Sequence, residues 1–327
     1  MHLPTSSDIK LSVCVISYNH EKYIAQCLDS ILMQECAFPF EVLVRDDCSR
    51  DRTLEIIKSY QERYPEVVRL IDAQKNLGAN ENLLTVFKYS RGTYIAICEG
   101  DDYWIDNTKL QQQATLMVSR PDLTFVSHAC RLHDQNGLGN VEYLKGEGTV
   151  DVTCNDILGI SGQFAPTASY MFRRDIASLL PPWFKDAPVG DFFIEMYGVA
   201  AGKGAHINSA LSAYRVFSDN SWSTQNNEKQ FHKLIQFSEK MNLCLEQMKD
   251  DLLFRNCDFS RKVAATNFNL AIGSLLAKDF PGFGRAITRC WTASPNHSPT
   301  QNVLYHLRLF PRLARVLYML KRGRLSA

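Results

Sequence analysis

Four short β-rich runs alternate with helical runs over the first 120 residues, and this order constrains the fold more than any other feature of the chain. Leu11–Ser17 (LSVCVIS), Phe40–Arg45 (FEVLVR), Val67–Ile71 and Tyr94–Cys98 (YIAIC) read as strands. Ile24, Cys27, Leu28, Ile31 and Leu32 recur at helical spacing and share one face. Further helices are expected near 52–64, stopped by Pro65, near 82–89 and near 108–119. A βαβαβαβ order predicts an α/β chain with a mostly parallel sheet covered by helices on both faces. Ligands of such sheets bind at the carboxyl ends of the strands. The polar clusters fall there: Ser17-Tyr18-Asn19-His20 after the first strand, Asp46-Asp47 after the second, Glu99-Gly100-Asp101-Asp102 after the fourth.

Adjacent carboxylates at a strand end repel one another unless a cation compensates. A hard divalent ion with oxygen ligands would do so, and would also hold a diphosphate. The competing reading is a helix start, in which Asp106 or Asn107 caps the next helix and the upstream acids favour its N-terminus. That reading accounts for Asp106 better than for Asp101 and Asp102. Asp46 and Asp47 are either turn formers or carboxylates that bind a nucleobase or ribose, as acids after the second strand of nucleotide-binding sheets do. Tyr18 is either a stacking platform for a base or a turn aromatic. No GxGxxG follows the first strand and no GxxxxGK[ST] occurs, which disfavours a dinucleotide-binding fold and a P-loop.

The remainder is less regular. Residues 134–148 read as a loop or weak hairpin, 190–201 as a helix and Ala210–Val216 (ALSAYRV) as a strand. From about 228 the pattern is helical, with a Pro/Ser/Asn linker at 294–300 and a basic amphipathic helix over 303–321 that Pro311 interrupts. The 327 residues, 45% apolar and 22% charged, suit one large α/β domain with a smaller appended unit and exclude wholesale disorder. No run is long and apolar enough to span a bilayer, and the opening MHLPTSSDIK lacks the apolar core of a secretory signal. Ten scattered cysteines without a CxxC pair predict a reduced, cytoplasmic protein with no zinc site. The net charge of +1 hides an asymmetry: from Phe280 onward there are eight basic residues and no acid, leaving 28 basic and 35 acidic residues in 1–279.

Four segments together resemble the family 2 glycosyltransferases of GT-A fold: LSVCVISYNHEKYIAQCLDSILMQ (11–34), FEVLVRDDCSRDRT (40–53), KNLGANEN (75–82) and GTYIAICEGDDYW (92–104). The likeness is dense over 11–130, looser to about 222 and lost beyond, giving an expected glycosyltransferase domain at 9–222 and a helical C-terminal region at 223–327. The resemblance implies a nucleotide-binding sheet in which Ser17 and Tyr18 line the base pocket. Asp47 would hydrogen-bond the base, with Asp46 beside it. Asp101 would approach the ribose or sugar, and Asp102 would bind Mg²⁺ or Mn²⁺ on the diphosphate. It further implies inversion by direct displacement, with a carboxylate as general base on the acceptor hydroxyl. Asp191, in PVGDFFIEMYG, is similar to the family's base position, though Pro188 and Gly190 before it also suit a helix cap. Glu195 shares its helix face. Ala213-Tyr214-Arg215-Val216-Phe217-Ser218 resembles the stretch that closes over the diphosphate. Many relatives carry histidine where this chain has Phe217, which leaves Arg215 and Trp222 as the contacts.

The expected reaction is transfer of a sugar from a nucleotide-diphosphate donor, a UDP-sugar first, to a saccharide or lipid-linked saccharide in cell-surface polysaccharide assembly. Two alternatives stand beside it. One is a transferase that loads polyprenyl phosphate, an acceptor already anionic and in no need of a base. The other is a non-catalytic sugar-nucleotide-binding subunit. The basic tail can lie on an anionic membrane surface or pack on the body. Nucleic acid is the least supported partner, because no aromatic-interleaved basic motif accompanies the charge.

Overall fold

The structure, a computed structural model, describes residues 10–216 and 229–325. The opening residues read for a signal and the expected boundary at 222 lie outside the described residues. The chain forms two compact units, one of 1–153 and 163–223, the other of 154–162 and 224–327.

The first unit is built on strands β1 (Leu11–Ser17), β2 (Phe40–Asp46), β3 (Val68–Leu70) and β4 (Tyr94–Glu99), all parallel, in the order β3-β2-β1-β4. β1 is buried along its whole length, as expected of a sheet covered on two faces. Alternate residues Leu11, Val13 and Val15 share a core with α1 (Ile24–Leu32), α2 (Thr53–Arg63) and α4 (Lys109–Ser119). α3 (Ala79–Tyr89) packs on β1 and β2. The register sets Ser17 opposite Asp46 and Ile16 opposite Glu99, so the polar clusters meet at one edge.

Beyond β4 the sheet becomes mixed. β9 (Met171–Arg173) runs antiparallel to both β4 and β6 (Leu123–Asp134), and β10 (Lys203–Arg215) runs parallel to β6. The 134–148 segment holds β7 (Gly137–Glu142), paired antiparallel with β6, and β8 (Thr149–Val152) pairs with β10. β5 (Tyr103–Trp104) pairs antiparallel with β10, matching Tyr103 to Ala213 and Trp104 to Ser212. The Trp104 indole N–H donates to the Ala168 carbonyl at 2.9 Å. Lys109 is fully buried with its Nζ 3.9 Å from the Trp104 ring centroid and no hydrogen-bond partner. Burial lowers its ammonium to about 7, opposed by the Cys98 and Cys36 thiols.

The second unit comprises α5 (Cys154–Leu158), α8 (Lys229–Lys249), α9 (Ser260–Leu276), α10 (Phe280–Ala293), α11 (Pro299–His306) and α12 (Pro311–Leu325). Ala271, Leu275, Phe283, Ile287, Leu304 and Ala314 lie in its core. The 294–300 linker ends in a capping box, with Ser298 and Gln301 bonding each other's backbone N–H, so α11 starts at Pro299. The helix expected over 303–321 is two helices. Pro311 opens the second, a position where its missing N–H leaves no bond unmade. One face of α12 packs inward through Ala314, while Leu313, Val316, Leu317 and Leu320 form an exposed stripe at helical spacing. The 154–162 segment is bound into this unit: the Asp258 N–H donates to Asn155 Oδ1 at 2.8 Å, and Lys262 Nζ donates to the Ile160 and Gly162 carbonyls at 3.2 and 3.3 Å. Ile157 and Leu158 are buried.

Candidate active site

The Glu99–Asp102 cluster turns tightly off β4. The Asp102 N–H donates to the Glu99 carbonyl at 2.9 Å, and the Gly100 N–H donates to the Ile16 carbonyl at 2.9 Å. A Cβ at position 100 would come within 2.8 Å of Ser17 Oγ and 2.9 Å of His20 Nδ1, so only glycine fits this approach of β4 to β1. Both of those polar atoms are buried without a hydrogen-bond partner. His20 Nε2 stands 3.9 Å from Asp101 Oδ2.

Asp102 is buried. Its Oδ1 accepts the Arg215 backbone N–H at 2.8 Å, and its Oδ2 has no partner. Burial, then repulsion from Asp101 and Glu99, pushes its carboxyl well above the usual range. Glu99 is pushed up to about 8 by burial, then by Asp101 and Asp191. Arg215 reaches the site because β5 and β10 pair in the register given above. Its guanidinium donates to the Asp101 carbonyl and to Gln26, and packs over Tyr103 and Tyr23 at 4.7 and 4.9 Å. Phe217 and Trp222 lie outside the described residues.

Asp191 is the first residue of α7 (Asp191–Ala200), where the helix N-terminus favours a carboxylate. Its Oδ1 accepts the Phe192 N–H at 2.7 Å. Its charge acts on Glu99, so the two expected halves of the site, the β4 cluster and Asp191, belong to one field. Glu195, one turn on, is fully buried, and its Oε1 accepts the Ala165 N–H at 3.0 Å and the Tyr170 hydroxyl at 2.6 Å. It braces the fold.

At the ends of β1 and β2 the chain itself bonds both acids. Asp46 and Asp47 are buried, and the chain's own donors engage their oxygens. Asp46 accepts the Ser49 N–H at 2.9 Å and the Ser49 hydroxyl. Asp47 Oδ1 accepts Arg45 and the Leu77 N–H, both at 2.9 Å, and Oδ2 accepts the Gly78 N–H at 2.8 Å. Asp47 therefore holds the 76–78 turn. Arg45 is tied in turn to Asn82 on α3 at 2.7 Å. Tyr18, 38% exposed, is the open aromatic of this edge, and Asn19 adopts a left-handed φ of 56° beside it.

Two tyrosines join this field, Tyr214 from the stretch that resembled the diphosphate-closing segment and Tyr143 from a segment without a motif. Burial, then Asp102 and Glu99, raises the Tyr214 hydroxyl. Tyr143 is pushed up to about 12 by burial, then by Cys130, Asp191, Glu195 and Asp102. Its segment read as a loop or weak hairpin.

Among the described residues no three His, Cys, Asp or Glu side chains are grouped to hold a metal unaided. The carboxylates nonetheless fit a divalent ion. Asp102 Oδ2 is buried without a partner beside two repelling acids, and Mg²⁺ is commonly held by one or two carboxylates with substrate phosphates and water completing the shell.

Comparison with known proteins bears on the family and the fold. Residues 12–178 match the family model described as glycosyl transferase family 2. An uncharacterised protein of Mycobacterium tuberculosis is 32% identical over 216 residues, 65% of this chain and 60% of that protein. The chain thus spans about 60% of that relative's length. The poly(ribitol-phosphate) beta-N-acetylglucosaminyltransferase TarS of Staphylococcus aureus is 30% identical over 148 residues, 44% of this chain and 25% of TarS. The crystal structure of TarS 1–349 with UDP-GlcNAc superposes with a TM-score of 0.60 at 19% identity, covering 94% of this chain and 88% of that one. The mannosyltransferase PcManGT from Pyrobaculum calidifontis, in complex with GDP-Man and Mn²⁺, gives 0.55 at 15% identity, covering 96% and 88%. At these identities the structural likeness concerns the fold.

Proposed function

We propose a specific reaction on the premise that the chain belongs to glycosyl transferase family 2 and is a glycosyltransferase of GT-A fold: inverting transfer of a sugar from a nucleotide-diphosphate donor to a saccharide hydroxyl in cell-surface polysaccharide assembly. The observation that carries this reading is the buried Asp102, one oxygen bonded to the Arg215 N–H and the other without a partner, among Glu99, Asp101 and Asp191. UDP-GlcNAc and GDP-Man in the two solved relatives support a nucleotide-sugar donor, and Mn²⁺ in one of them supports a divalent cofactor.

In this reading the base lies against Tyr18, with Ser17 beneath it. Asp46 and Asp47 shape that pocket through Ser49 and the 76–78 turn. Asp102, with Asp101, would hold Mg²⁺ or Mn²⁺. When bound, the ion would neutralise charge on the departing diphosphate. Arg215 adds a guanidinium on the same side. Asp191 accepts the proton of the acceptor hydroxyl as that oxygen bonds to the anomeric carbon and the carbon–diphosphate bond breaks. Backside attack inverts the centre.

The acceptor is proposed to be presented at an anionic membrane surface. No helix among the described residues is long and apolar enough to cross a membrane. The exposed stripe of α12 beside Arg312, Arg315 and Lys321 supports contact with such a surface. Polyprenyl phosphate as acceptor remains the second reading, distinguished by Asp191: an anionic oxygen needs no base.

The deciding experiment is turnover of a nucleotide-sugar panel with and without Mn²⁺. The reading expects metal-dependent release of the nucleoside diphosphate from one of them. Donor consumption unaffected by EDTA would overturn the metal assignment, and consumption of none would overturn the donor class.

A further inference from the structure

The segment between β7 and β8 carries a cation toward Asp191 and Glu195. Tyr143 opens it in a left-handed conformation, φ 63°. Asn208 then pins it twice: the Lys145 backbone N–H donates to Asn208 Oδ1 at 2.5 Å, and the Asn208 N–H donates to the Gly148 carbonyl at 2.8 Å. Asn208 is available because the register of β10 against β6 shifts between Ile207 and Ala210. The pinned loop leaves Lys145 half-buried, its Nζ 4.4 Å from the ring centroid of the buried Phe164 and 5.9 Å from that of Tyr143.

None of the ion pairs among the described residues includes Lys145. Burial lowers its ammonium below the usual lysine range, with Glu195 opposing. A partly desolvated ammonium without a bonded counter-ion is costly. Two aromatic rings offset part of that cost, and an arriving anion would offset more. The loop adjoins the helix of the proposed base: the residue after Phe164, Ala165, donates its N–H to Glu195 Oε1 at 3.0 Å, one turn beyond Asp191 on α7.

We propose that Tyr143 and Lys145 form an acceptor subsite that selects an anionic acceptor: a saccharide or polyol chain with a carboxylate or phosphodiester near the attacked hydroxyl. Lys145 supplies the charge and the Tyr143 ring a face for the sugar or polyol. The proposal rests on the transferase reading above and adds the charge class of its second substrate.

The test uses the full chain with UDP and Mn²⁺, titrated with three probes: an oligosaccharide containing glucuronate, the same oligosaccharide with its carboxylates reduced to alcohols, and a ribitol-phosphate oligomer. The expected result is that at least one acidic probe binds about tenfold tighter than the reduced one at low salt. Lys145→Gln should erase that gap and Lys145→Arg should keep it. The glucuronate and phosphate arms say which anion is preferred. Equal binding of acidic and reduced probes, no binding of either acidic probe, or a gap that survives in a folded Lys145→Gln variant overturns the subsite. If the wild type shows no gap and Lys145→Gln only lowers the melting temperature, Lys145 merely balances Glu195. Donor consumption is measured in parallel. A chain that consumes donor but shows no charge gap loses the subsite alone. One that shows the gap but consumes no donor loses the transferase reading alone.

Discussion

The Arg215 backbone N–H donates to Asp102 Oδ1 at 2.8 Å, joining residues 113 positions apart in the chain. A strand of two residues makes this possible. β5 pairs with β10, so the motif that carries the acids is zipped to the segment that carries the arginine. The proposed donor-binding and closing elements are therefore not independent parts.

Asp102→Asn should abolish the dependence of nucleotide binding on a divalent ion. Loss of an outer-shell partner already costs 10–100-fold in metal affinity, and loss of a ligand should cost at least about as much. The amide can still accept the Arg215 N–H, so folding should survive. Calorimetric titration of UDP with and without Mn²⁺ checks this: equal enhancement by Mn²⁺ in variant and wild type would remove Asp102 from the metal site.

Asp191→Asn should keep donor affinity and lose ~10²–10⁴-fold in transfer rate. The side-chain oxygen that accepts the Phe192 N–H is retained, so the start of α7 should be undisturbed. Single-turnover transfer measured beside donor binding separates the two effects. Full retention of rate would favour an acceptor that is already an anion.

Lys109→Met should stabilise the protein at neutral pH. The folded chain holds this lysine near 7, whereas the unfolded chain holds it near its ordinary ~10.4. The unfolded state therefore binds more protons between those values, and stability rises with pH across that window. The full cost applies below about 7. From pH 7 to 8.5, below the main titration of the thiols, the lysine should contribute about 2 kcal/mol of rising stability. Urea midpoints at the two pH values should converge between variant and wild type as pH increases. Parallel curves would mean that the site does not depress the lysine.

Val316→Ser with Leu320→Ser should weaken binding to anionic vesicles without lowering the melting temperature, because both residues are exposed. Removing the tail from 299 is a poorer test, since it deletes the buried Leu304 and Ala314. Sedimentation with phosphatidylserine-containing vesicles at low and high salt provides the readout. Unchanged, salt-independent association would direct attention away from this stripe.

The parallel strands and first helices of the first unit were legible because each buries a repeated pattern: β1, β2 and β4 are buried almost throughout and rich in Val, Ile and Leu, and α1 shows a single apolar face. β5 and β9, two and three residues long, are shorter than any period can reveal. The Asp pair after β2 was visible as chemistry, but its partners at Leu77 and Gly78 lie some 30 positions away, so the occupation of Asp47 could not be read. The Tyr143–Lys145 loop carries no motif. It gains meaning only once Asn208 and Phe164 are brought beneath it by β10 and the chain before β9.

The short excursion at 154–162 has a consequence for how the molecule is made. A nascent chain emerges in order at roughly 5–20 residues per second, so this stretch leaves the ribosome well before Asp258 and Lys262, which bind it. Until then Ile157 and Leu158 lack the unit to which they belong. The segment thus waits without its partners while residues 163–257 are made. A stop codon near 223 would leave Ile157 and Leu158 permanently without that unit, giving truncated products that are prone to aggregate rather than miniature enzymes.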